Sequence, residues 1–194
     1  MQKITSIKIK TLFTFITLFI FNGCVSSGNY FILSQPSQPT VTYTNKSRII
    51  GVEKVTVPEY LYKREIAVAK TSSQISLLSG AVWGEDLDAG LTQRLISFLQ
   101  KKFHQPSVHA YPWGLDREAT VKVNVAITRF IAQGDRVYLD ANWEVTHTSS
   151  KRRKTGLFST TIPTKSDAAS IVSAMDRAFG VLEEEVAQGV KLFN

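Results

Sequence analysis

The chain has 194 residues, 43% of them hydrophobic and 20% charged, with a formal net charge of +7 and a single cysteine. That length suits one domain with a real core, and a lone cysteine excludes an intramolecular disulfide, so packing must hold the fold. The basic balance does not demand nucleic acid: Lys3, Lys8 and Lys10 lie in the first 23 residues, which contain no acid, and without them the charge is +4.

Those lysines precede an uncharged apolar run at 12–21, followed by Asn22, Gly23 and Cys24. A positive start, a short apolar run and a small residue before a cysteine predict a lipoprotein signal peptide over 1–23. The charged start stays in the cytoplasm, the apolar run enters the translocon, and Gly23 permits cleavage before Cys24, which then carries the lipid. An apolar run of about ten residues falls short of the ~20 needed to cross a bilayer, which argues against a transmembrane anchor. Cleavage leaves 171 residues, with a short tether at 24–29 and one folded domain at 30–194.

Within that domain a first strand is predicted at 30–33, then a Ser/Thr/Gln/Pro-rich loop at 35–46. Ile50, Val52, Val55 and Val57 predict a strand ended by Pro58, which lacks a backbone donor. A loop at 59–64 leads to two short paired strands, 66–69 and 75–78. The first helix is predicted at 85–104, where Leu87, Leu91, Leu95, Phe98, Leu99 and Phe103 recur at helical spacing. Its first turn carries Glu85, Asp86 and Asp88 and its last turn Lys101, Lys102 and His104, which matches the helix dipole at both ends.

A meander follows. Val121, Val123, Val125 and Ile127 alternate with polar or small residues, the chain turns at 133–135, and Val137, Leu139, Ala141, Trp143 and Val145 alternate again. A second turn at 149–156 returns it through Phe158, Thr160 and Ile162. Ser166 or Asp167 can cap a closing helix striped by Ile171, Met175, Phe179, Leu182, Val186 and Val190. The fold class is therefore α/β, a single domain with a mixed sheet of about five to seven strands and two amphipathic helices packed on it.

Chemistry is sparse. His104 and His109 flank a proline-containing turn without a carboxylate or cysteine at metal-ligand spacing, so no metal site is expected. No nucleophile-elbow, phosphate-loop, zinc-protease or dinucleotide glycine motif occurs, and no catalytic residue is expected. The acids of the first helix have a structural explanation in the dipole, and Glu183, Glu184 and Glu185 read as a solvated helix face.

Two features carry more. Lys151, Arg152, Arg153 and Lys154 are four consecutive positive charges at a predicted hairpin tip; they either keep a turn soluble or touch anionic headgroups at about 1 kcal/mol per charge. Trp83 and the Tyr111-Pro112-Trp113 segment bracket the first helix in predicted loops. There they either close the core or anchor a protein interface. Trp143, alternating inward, reads as core.

The order of these signatures resembles the ABC-type transport auxiliary lipoprotein family. The likeness runs from Cys24 through Tyr30-Phe31-Ile32-Leu33, the stretch from Ile50-Gly51-Val52 to Pro58-Glu59-Tyr60-Leu61, Trp83-Gly84-Glu85-Asp86-Leu87-Asp88, Tyr111-Pro112-Trp113, and Ala141-Asn142-Trp143 to the final helix. It implies a non-enzymatic outer-membrane lipoprotein facing the periplasm, an auxiliary part of a lipid transport system. Its implied partners are an MCE-domain periplasmic protein and the associated ABC permease and ATPase, whose conduit it would dock at the outer membrane, with a homo-oligomer possible. No cofactor is implied beyond the covalent diacylglycerol and N-acyl chain on Cys24. Val25 agrees with outer-membrane sorting, since the familiar inner-membrane retention signal is Asp at that position. The alternative is an envelope-assembly or cell-wall regulatory lipoprotein that binds a synthase or a β-barrel.

Overall fold

A computed structural model describes residues 28–33, 38, 39, 41–43, 48–113 and 118–193. The signal peptide, Cys24 and most of the tether lie outside them. The described chain forms eight strands and two helices: β1 (Asn29–Phe31), β2 (Ile50–Glu53), a 3-10 turn (Glu59–Tyr62), β3 (Glu65–Ala69), β4 (Ile75–Trp83), α1 (Leu87–Phe103), β5 (Val108–Tyr111), β6 (Val121–Gln133), β7 (Arg136–His147), β8 (Arg153–Pro163) and α2 (Ala168–Lys191).

All eight strands join one mixed sheet branched at β6. Along one side β6 pairs antiparallel with β7 from Val121↔His147 to Gln133↔Arg136, and β7 pairs with β8. The other side is shared. β2 runs parallel to the start of β6 at Ile50↔Val121 and Val52↔Val123, and β3 runs parallel to its end at Val68↔Ala132 and Ala69↔Gln133. β5 extends the sheet beyond β2, while β4 and then β1 extend it beyond β3. The predicted strand to Pro58 leaves the ladder after Glu53, keeping one bridge, Thr56↔Ala126. The reason is a competing partner: the Val55 N–H donates to Thr92 Oγ1 of α1 at 2.9 Å, tying this segment to the helix.

Both helices cover one face. The inward residues of β6 and β7, Val121, Val123, Val125, Ile127, Val137, Leu139, Ala141, Trp143 and Val145, are buried against the stripes of α1 and α2, as the alternation predicts. Asp167 caps α2, its carboxylate accepting from the Ser170 N–H at 2.8 Å. That removes one of the unsatisfied donors at the helix start. His104 closes α1 in the left-handed region, φ 45°.

Five expectations need correction. The segment at 59–64 contains the 3-10 turn, with Leu61 buried. β4 runs on from Leu78 to Trp83: Gly80, at φ 72°, makes an irregularity within the strand, after which Val82 pairs again with Glu65 and Trp83 with Phe31. Residues 108–111, expected as loop, are β5, so the sheet has eight strands. The second turn is tighter than 149–156, because β8 already begins at Arg153. Finally, Glu183 does not face solvent. It is buried against Arg94 of α1, with Nε 3.2 Å from Oε1, and Arg94 also reaches Asp176 at 2.5 Å. Three consecutive helix positions point about 100° apart, so they cannot share one face; Glu183 follows the stripe, Glu184 accepts from Lys102 at 2.5 Å, and Glu185 is exposed.

Candidate functional site

The face of the sheet opposite the helices is where the candidate side chains gather. At the end where β6 begins, Gly51 and Glu53 of β2, His109 and Tyr111 of β5, and Lys122 and Asn124 of β6 share this face. Trp113 folds back over this surface. A Cβ on Gly51 would lie 2.9 Å from its ring, so only glycine leaves room for the indole to lie on the sheet. Trp113 meets Tyr111 edge-on at 5.3 Å between centroids and His109 at 5.9 Å.

Lys122 Nζ donates to Tyr111 Oη at 2.7 Å and sits 4.2 Å from the centre of its ring. The hydrogen bond to Tyr111 raises the lysine above its ordinary range and keeps it charged. Asn124 Nδ2 donates to Glu53 Oε2 at 2.6 Å. A shallow depression beside these groups is lined by Glu53, Lys122, Asn124, Glu144, Thr146 and Arg153. Half-buried aromatics held by polar neighbours suit recognition of another macromolecule.

The expected site residues separate. Tyr111 and Trp113 belong to this surface, whereas Trp83 is 3% exposed and part of the core; of the two readings left open for it, core holds. The basic segment is divided. Lys151, in the left-handed region at φ 57°, and Arg152 form the turn, while Arg153 and Lys154 have joined β8 opposite Thr146 and Val145. Arg152 stacks on Phe193 at 5.6 Å, and His147 stacks on the same ring. Cys24 lies outside the described residues. Among the described residues no group of three His, Cys, Asp or Glu side chains is placed to hold a metal, and none of their helices is long and apolar enough to cross a membrane.

Several ion pairs escaped the sequence, two of them through buried acids. Asp88, assigned only to the helix dipole, is buried and receives Lys54 Nζ at 2.6 Å, and this contact raises the lysine. The pairing of Arg94 with Glu183 joins residues 89 apart, a separation that no local pattern signals.

Comparison with known proteins agrees with this architecture. Residues 31–187 match the family model for the ABC-type transport auxiliary lipoprotein component. The curated Intermembrane transport lipoprotein PqiC of Escherichia coli strain K12 is 27% identical over 133 residues, covering 64% of this chain and 68% of that protein, and PqiC of Shigella flexneri matches to the same extent. Among solved structures, an uncharacterized protein superposes with a TM-score of 0.68 at 17% identity, over 84% of this chain and 99% of the other. A Xanthomonas campestris protein does so with a TM-score of 0.67 at 16% identity, over 85% and 95%. At these identities the structural likeness is one of fold.

Proposed function

Because this chain belongs to the ABC-type transport auxiliary lipoprotein family, we propose that it is a non-enzymatic lipoprotein of an intermembrane transport system. In this reading it is anchored to the outer membrane through lipid on Cys24 and docks the periplasmic conduit of an MCE-domain protein and its ABC transporter. The observation that carries the reading is the family match over most of the chain, joined by a relative whose name states intermembrane transport. The helix-free face supports it physically. Trp113, Tyr111 and Lys122 form a half-buried aromatic and cationic surface, and aromatic anchors concentrate interface energy.

The test is capture of partners by the mature lipoprotein from envelope extracts of its own organism. An MCE-domain protein should be recovered, and Trp113→Ala should weaken its recovery at least ~30-fold, the equivalent of about 2 kcal/mol, with the circular dichroism spectrum unchanged. Recovery of a cell-wall synthase or a β-barrel in place of any MCE-domain protein would move the assignment to envelope assembly.

A further inference from the structure

β6 serves as a ruler for the whole domain. Its first residue pairs with His147, beside the basic turn, and its last pairs with Arg136 and Ala69. Twelve steps at about 3.3 Å set these ends about 40 Å apart. Tyr111 and Trp113 belong to the first end, since Glu53↔Tyr111 lies next to Val52↔Val123. The other end holds β3 and β4, with Ala69↔Ile75 level with Gln133.

The direction of β1 then fixes where the tether leaves. β4 runs from Ile75 back toward the start of β6, and β1 is parallel to it, entering at Asn29↔Ala81. β1 therefore runs from the Gln133 side toward the start of β6. Five residue steps separate Cys24 from Asn29, and extended chain covers at most about 17 Å in that distance. A lipid on Cys24 therefore lies within about 17 Å of Asn29.

An apolar patch occurs at the same place. Ile66 and Val68 point into the core, so Ala67 and Ala69, with their partners Leu77 and Ile75, face the opposite side. Tyr30, opposite Val82, shares that face because Val82 also pairs with Glu65. Tyr30 is 72% exposed, Ile75 45% and Leu77 44%. Grouped exposed apolar side chains mark an interaction surface, and a tyrosine among them suits the headgroup boundary of a bilayer.

We propose that Tyr30, Ile75 and Leu77 rest on the lipid surface, so that the Gln133 end of the domain is the end nearest the membrane. This rests on the reading of Cys24 as the lipid-bearing residue. It places the basic turn at 151 and 152 about 40 Å along the strands from the patch, where it can meet a protein and not the headgroups under the patch.

The experiment uses the mature lipoprotein, whose Cys24 thiol is consumed as a thioether in this reading, so an introduced cysteine is the only free thiol. Tyr30→Cys, Leu77→Cys and Lys151→Cys, all at exposed positions, are labelled with an environment-sensitive fluorophore and bound to vesicles of phosphatidylethanolamine and phosphatidylglycerol carrying a spin-labelled lipid. The lipid quencher should at least halve emission from positions 30 and 77 and leave position 151 unchanged. Quenching at 151 equal to that at 77 would overturn the proposal in favour of a domain lying flat. A blue-shifted but unquenched label at 77 would overturn it in favour of a protein, such as a second copy, covering the patch. Flotation with vesicles separates the two levels: protein that floats with 30 and 77 unquenched refutes the patch alone, whereas protein that does not float refutes the Cys24 anchor and the patch with it.

Discussion

Trp143 on β7 lies so close to Gly189 of α2 that a Cβ on the glycine would fall 2.5 Å from the indole. Its register partner across the sheet, Gly156 of β8, is as tightly covered by the same ring. Two glycines thus make the slot that lets the largest side chain sit between sheet and helix. In a helix interior Gly→Ala ordinarily gains about 1 kcal/mol, but overpacking a filled site costs about 1–3 kcal/mol. Gly189→Ala should therefore lower stability in a urea titration, as should Gly156→Ala. A stabilised Gly189→Ala variant would show that the indole can move aside.

Trp83 and Trp113 should part company in the same measurement. Trp83 is sealed in the core, so Trp83→Ala should lose about 3–5 kcal/mol. Trp113 is only half-buried, and Trp113→Ala should lose less than half as much. Equal losses would return Trp113 to the core and remove it from the docking surface.

Glu183 gives stability a pH dependence. Burial pushes its carboxyl up to about 7 from 4.5, with Arg94 opposing the shift. Between those values the folded chain holds a proton that the unfolded chain has released. Its contribution is thus complete below about pH 4.5 and is lost as pH rises toward 7, on the order of 3 kcal/mol in all. Glu183→Gln, which cannot titrate, should flatten this slope in denaturant titrations across the window. Parallel slopes in both proteins would clear Glu183 of the effect.

Cys24→Ser should abolish metabolic incorporation of labelled palmitate and leave uncleaved precursor or soluble product. A serine variant that still sediments with membranes, without label, would reveal a different anchor.

Elements with a long period were legible from sequence. The stripes of α1 and α2 and the alternation of β6 and β7 each repeat a spacing many times, and Asp167 stands where a cap belongs. β5 was not legible, because four residues with one buried valine give a period of two nothing to repeat. β4 outran its predicted end at Leu78, because the irregularity at Gly80 interrupts the pattern of alternation before the strand resumes. The candidate surface was half visible. Tyr111 and Trp113 are unusual in any loop, but what holds them, Gly51 beneath the indole and Lys122 against the phenol, comes from other strands. The separation of Trp83 from Trp113 likewise depends on tertiary placement, Trp83 ending β4 and Trp113 folding over Gly51, and composition does not carry that.

The branching of the sheet decides how the domain answers a pull. The wing of β3, β4 and β1 meets β6 through two register pairs, Val68↔Ala132 and Ala69↔Gln133, whereas β6 and β7 share a ladder along their full length. Tension entering at Asn29 passes through the three pairs of β1 and β4 before it reaches β6. The wing is therefore the compliant element in this load path and the β6–β7 ribbon the stiff one. Amide exchange should register the contrast without any force applied, fastest in β1 and slowest along β6.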